Sequence, residues 1–140
     1  MSVGICIIAH EPLASAVKTC AMHIYSMTGD TAAERIEAYD VPAEIKALEG
    51  VCEARTRVAR LLDHADGVVV FTDILGATPA NIAHQLLDDS RVAVISGTSL
   101  PAVVAALNAP ADAPVAQVAT LAEAAARAGL STLFGRSDND

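Results

Sequence analysis

Two side chains far apart in the chain could do chemistry together if the fold joins them. His10 ends the apolar run of residues 3–9, and Asp73 follows closely on the apolar run of residues 68–71. A carboxylate that accepts a hydrogen bond from a histidine Nδ1–H fixes the tautomer of the ring. The other nitrogen, Nε2, then keeps its lone pair and can attack an electrophile. The same carboxylate balances the imidazolium charge that appears once a group is attached. Neither a Walker-type nucleotide loop, nor metal-ligand spacing, nor a second catalytic base accompanies the pair. The expected chemistry is therefore phosphoryl acceptance by His10, with Asp73 orienting the ring and another protein supplying the group. No cofactor or metal is implied.

Both residues need strands to carry them. Residues 68–71 read Val-Val-Val-Phe, and residues 3–9 read Val-Gly-Ile-Cys-Ile-Ile-Ala. Unbroken apolar runs of this length suit strands covered on both faces, as in a parallel sheet. Further strands are expected over residues 36–39 and 91–96, and a short last one over 131–134. Between them lie helical patterns: Leu13, Ala16, Val17, Cys20 and Ile24 repeat every 3.6 residues. A long helix is expected from Asp40-Val41-Pro42 onward, with Ile45, Leu48, Cys52, Val58 and Leu62 inward. Arg55, Arg57 and Arg60 would then form a solvated face, open to an acidic partner. Thr28-Gly29-Asp30 reads as a turn.

Strands alternating with helices imply right-handed crossovers. The fold class expected is α/β: a doubly wound, mainly parallel sheet with helices on both faces and a short C-terminal antiparallel strand. One domain would span residues 1–135, with a frayed tail at 136–140. Three strand exits share a Pro near the start of the next helix: His10-Glu11-Pro12, Thr78-Pro79 and Ser99-Leu100-Pro101. In a parallel sheet those helix N-termini converge on one edge, where free N–H groups and helix dipoles favour an anion such as phosphate. Gly76, Ala77, Thr78 and Ser99 are the candidate phosphate-binding residues. Thr78 and Ser99 read equally as simple helix caps.

Composition narrows the partners. The chain has 140 residues, 53% of them hydrophobic but only 3% aromatic, so its core must be built from Ala, Val, Leu and Ile. Seventeen acidic against nine basic side chains give a formal charge of −8, which argues against nucleic acid or an anionic membrane held by a basic surface. Cys6, Cys20 and Cys52 are odd in number and lie in apolar segments, so they read as reduced core thiols of a cytosolic protein. The N-terminal run meets His10 and Glu11 too soon for a signal peptide, and no apolar stretch approaches the roughly 20 residues of a membrane span.

The strand ending in His10, the segment Thr72-Asp73-Ile74-Leu75-Gly76-Ala77-Thr78-Pro79-Ala80-Asn81 and the later Ser96-Gly97-Thr98-Ser99-Leu100-Pro101 together resemble the EIIA component of the mannose family of the bacterial sugar phosphotransferase system. The resemblance runs from Val3 to about Gly129. It implies a cytoplasmic phosphocarrier in which His10 takes phosphate from the histidine phosphocarrier protein HPr and passes it to an EIIB component. It also implies a homodimer formed through a C-terminal strand, for which residues 130–134 are placed. The chain departs from the family pattern at Glu11, where Gly is usual, and at Ala77, where the usual turn is Gly-Gly-Ser-Pro.

Two other readings compete with this one. A receiver domain phosphorylated on Asp73 would need an acidic pair after the first strand and a late Lys. Here the first strand ends Ala9-His10-Glu11, and no Lys follows Lys46. A regulatory module, in which phosphorylation of His10 controls a partner protein, uses the same residues as transport and is not separated from it by sequence.

Overall fold

The structure, a computed structural model, describes residues 2–25 and 32–137. The predicted turn at Thr28-Gly29-Asp30 lies outside them. Among the described residues, four strands form one all-parallel sheet: β1 (Gly4–His10), β2 (Ile36–Val41), β3 (Val68–Thr72) and β4 (Val92–Ser96), in the order β2-β1-β3-β4. The ladders run Ile5↔Ile36 to His10↔Val41 on one side of β1 and Gly4↔Val68 to Ile8↔Thr72 on the other.

Alternation along the strands divides the core into two layers. Ile5, Ile7, Val69 and Phe71 face one side and pack with α1 (Leu13–Tyr25), α4 (Leu100–Leu107) and α5 (Val115–Ala128). Cys6, Ile8, Val68 and Val70 face the other and pack with α2 (Ala47–Leu62) and α3 (Thr78–His84). Both faces are thus covered, which is why these strands are apolar at every position instead of at every second one. The doubly wound α/β expectation holds.

Four local expectations do not. Asp40 and Val41 belong to β2, because its ladder with β1 runs on to Val41 and the residue before a proline favours extended backbone. Helix α2 starts at Ala47 instead. Its inward stripe is Gly50, Ala54, Val58 and Leu61, while Leu48 is 77% exposed and Cys52 is exposed. Glycine holds position 50 because α3 comes close: a Cβ there would stand 2.5 Å from Ile82 Cδ1. Cys6 alone of the three thiols is buried, and burial pushes it up to about 12; Cys20 and Cys52 are exposed. Finally, residues 131–134 form no strand within the chain. Leu130, Leu133 and Phe134 are 85%, 91% and 89% exposed.

The arginines of α2 are less free than a solvated face requires. Arg57 donates to Glu53 and to the Ala38 carbonyl and lies over the Tyr39 ring, Arg60 pairs with Glu37, and Arg55 with Asp88.

Candidate functional site

The order β2-β1-β3-β4 makes the chain switch sides between β1 and β3. After β1 it crosses to α1 on one face, and after β3 to α3 on the other. The crevice left between two such exits is where open α/β sheets place their ligands. His10 closes β1 at one lip, and Asp73 directly follows β3 at the other.

The two side chains meet. His10 Nδ1 lies 2.7 Å from Asp73 Oδ2, which also accepts the His10 backbone N–H at 2.8 Å. The other carboxylate oxygen accepts Ile74 N–H at 2.8 Å. Burial of Asp73 by itself raises its carboxyl, but the bonds from the His10 backbone, the His10 ring and Ile74 outweigh it and hold the carboxyl below its ordinary value. An ionised Asp73 can only accept, so the hydrogen of this bond sits on Nδ1 and Nε2 of the neutral ring carries the lone pair. The Asp73 side chain is 9% exposed and that of His10 48%, so the carboxylate is covered and the ring is open to solvent.

The surrounding turns hold this geometry. Gly76 takes φ +92°, a conformation that favours glycine, and Ala77 next to it is extended at φ −86°, so the alanine is compatible with the turn. Ala77 N–H donates to Ile74 O at 3.1 Å, and Ala77 O accepts Asn81 N–H at 3.0 Å. Ala77 is therefore the cap of α3 by geometry, and the expected cap Thr78 is the first helical residue with its side chain exposed. Ser99 does cap α4, its Oγ accepting Ala102 N–H at 3.3 Å. Gly76, Ala77 and Thr78 thus lie on the loop leaving Asp73, and Ser99 on the neighbouring exit.

A residue given no role of its own in the sequence reading ties these exits together. Thr98 donates both its N–H (3.0 Å) and its Oγ1–H (2.7 Å) to Thr72 O, while Gly97 N–H donates to Asp73 O at 2.7 Å. The loop after β4 is thereby laced to the end of β3, and Gly97 at φ +78° makes the bend. The signal was the glycine in Ser96-Gly97-Thr98. Asp40, at the end of β2, likewise fixes the first turn of α1 by accepting Ser15 N–H at 2.9 Å. Pro12 O accepts Ala16 N–H at 3.2 Å, so α1 begins just after the cis Glu11–Pro12 peptide and not on the proline.

A half-exposed imidazole backed by a largely covered carboxylate, at the switch point of a doubly wound sheet, defines a class: an α/β domain with a histidine–carboxylate pair at its ligand crevice. The comparisons make this specific. The family model described as PTS system fructose IIA component, EIIA-man, matches residues 4–124, and the chain belongs to that family, whose role is phosphotransfer in the sugar phosphotransferase system. Among curated proteins no relative matches. Solved structures similar in fold include the PTS IIA protein associated with the fucose utilization operon of Streptococcus pneumoniae, at 22% identity and TM-score 0.74, covering 96% of each chain. The mannose/sorbose specific IIA subunit from Enterococcus faecalis is similar at 19% identity and TM-score 0.76, covering 98% of each chain. A sigma-54 interaction domain protein from the same organism shares 16% identity at TM-score 0.72, over 91% of this chain and 93% of its own. No helix among the described residues is long and apolar enough to cross a membrane, and they contain no group of three or more His, Cys, Asp or Glu able to hold a metal ion.

Proposed function

We propose that this protein is a cytoplasmic phosphocarrier in which His10 Nε2 accepts a phosphoryl group from phospho-HPr and passes it to an EIIB component during sugar uptake. The observation that carries the reading is the 2.7 Å contact of His10 Nδ1 with an Asp73 carboxylate held ionised, in the crevice between β1 and β3. Asp73 orients the ring and balances the charge on the phosphorylated imidazole. Gly76, Ala77, Thr78 and Ser99 surround the transferred oxygens. Of these, Ala77 N–H and Ser99 Oγ already serve the turn and the cap, so Gly76 and Thr78 are the freer ligands.

A homodimer completes the reading. The outer side of β4 is an edge of the sheet, a groove of about 550 Å³ runs beside it from Val94 to Leu130, and the exposed residues 130–134 are available to pair with a second copy. A second reading is regulatory: phosphorylation of His10 controls a partner protein without onward transfer. The likeness in fold to a sigma-54 interaction domain protein favours keeping it.

The test is incubation with phospho-HPr, followed by mass and acid-lability analysis of wild type and His10→Ala. Acid-labile label on wild type alone is the expected result. Label that survives in His10→Ala and is lost in Asp73→Asn would replace the reading with an acyl phosphate. Onward transfer to an EIIB separates transport from regulation.

A further inference from the structure

The residue next to His10 carries a charge that phosphoryl transfer must contend with. Glu11 is exposed, its backbone N–H anchored on Val41 O at 3.1 Å. With His10, Pro12, Val41 and Ala43 it lines an open pocket of about 320 Å³, and no cationic side chain lines that pocket. Of the nine Lys and Arg residues, Arg35, Arg55, Arg57, Arg60, Arg91 and Arg127 each already lie against a carboxylate or carbonyl of this chain, and Lys18, Lys46 and Arg136 do not line this pocket. A phosphoryl group carries about two negative charges. Approaching His10 from this side, it meets a carboxylate in a pocket whose lining supplies no Lys or Arg.

A carboxylate in that place repels every phosphodonor, but not equally. A small anionic donor brings only negative charge. A protein donor can bring a lysine or arginine beside its own phosphorylated nitrogen and set it against Glu11, turning a repulsion into a pair that forms only in the docked complex. The same rim offers apolar contact for a protein, since Leu48, Ile74 and Leu75 are 77%, 65% and 69% exposed.

We propose that Glu11 is a specificity residue: it selects a phosphodonor protein that presents a cationic side chain next to its phosphorylated nitrogen, and it disfavours free anionic phosphodonors. The inference rests on the reading of His10 as acceptor. In either transfer the Nε2 lone pair of His10 forms the new N–P bond while the donor's N–P bond breaks, its electron pair returning to the donor nitrogen. With phosphoramidate the leaving group is ammonia, and with a phosphohistidine donor it is that donor's imidazole. The Nδ1–H stays on His10, bonded to Asp73.

The test compares wild type, Glu11→Gln and Glu11→Lys, labelled by phospho-HPr and separately by phosphoramidate, at low and high salt. Removing the charge should speed labelling by phosphoramidate about threefold and slow labelling by phospho-HPr about fivefold at low salt, the second effect fading at high salt as the pair is screened. Glu11→Lys should widen both changes. Shifts in the same direction with both donors, or no shift with either, overturn the proposal; the latter would leave Glu11 as no more than a favourable charge at the start of α1. Failure of both donors to label wild type overturns the acceptor reading together with this one, whereas labelled wild type with the wrong pattern of shifts overturns this one alone, so the two failures are distinguishable.

Discussion

The two ends of the sheet treat carboxylates in opposite ways. At the amino end, before β4, Asp89 receives Arg91 Nε and Nη2 at 3.0 and 2.8 Å, and Asp88 receives Arg55 Nη1 and Nη2 at 3.1 and 2.9 Å. Both partners there are permanent cations, and the Arg91 bonds pull the Asp89 carboxyl down to about 2. At the carboxyl end, Asp73 has two backbone N–H groups and an imidazole 63 residues away in sequence. Its carboxyl is lowered as well, yet its partner is a ring that can gain a group and a charge. The size of a pKa displacement is thus a poor guide to function in this chain. What marks the site is a partner whose charge can change.

Breaking the carboxyl-end pair from the histidine side should have the largest effect. His10→Ala is expected to abolish acid-labile labelling by phospho-HPr. It should still fold, because the backbone N–H of residue 10 and that of Ile74 remain to satisfy Asp73. Mass analysis and a thermal melt of the same sample decide both halves. Removing the carboxylate charge comes next. Asp73→Asn keeps an acceptor for Nδ1–H but loses the counterion, and labelling should slow by about ten- to a hundredfold in single-turnover kinetics. A rate within twofold of wild type would reduce Asp73 to a turn residue.

This end of the molecule was legible in the sequence because the features that make it are local. Runs such as Val68-Val69-Val70-Phe71 announce strands covered on both faces, and a charged or polar residue closing such a run must lie at a sheet edge. That His10 and Asp73 share a lip required only that β1 and β3 be parallel neighbours. What escaped depends on packing between elements distant in sequence. The inner stripe of α2 begins with Gly50 because Ile82 of α3 leaves no room there for more, and a pattern that looks for large apolar residues selects Leu48 and Cys52 instead. Thr78 looked like a cap because it precedes a proline, but the turn made by Gly76 moves the cap back to Ala77. The segment 130–134 is apolar like a strand, yet among the described residues no strand of its own chain receives it. Its apolar character is legible; its partner is not.

Acid sharpens the comparison in thermodynamic terms. The folded-state pKa of Asp73 lies below its unfolded value, so the ionised group contributes stability that is complete above the unfolded value and lost as pH falls through the folded one. At pH 7, Asp73→Asn should lower the unfolding free energy by about 1 kcal/mol, the worth of hydrogen bonds to a charged acceptor near the surface. As pH falls from the ordinary carboxylate range, about 4, on through the lower folded-state value, the two proteins should converge. Denaturant melts at neutral and acid pH measure this directly, and a gap that stayed constant with pH would mean that the Asp73 charge contributes nothing to the fold.

The smallest effect belongs to the amino end, where the geometry is better and the consequence less. Asp88→Asn removes the carboxylate that holds Arg55, but Arg55 retains the Gln85 carbonyl at 3.0 Å, and both side chains of the pair are open to solvent. Exposed pairs of this kind gain little because water already solvates each ion and salt screens what remains. The variant should therefore melt close to wild type and accept phosphate from phospho-HPr at the wild-type rate. A slowed transfer with an unchanged melt would place a partner contact at this end of the sheet, and the contrast between a structural rim and a reactive one would have to be redrawn around Arg55.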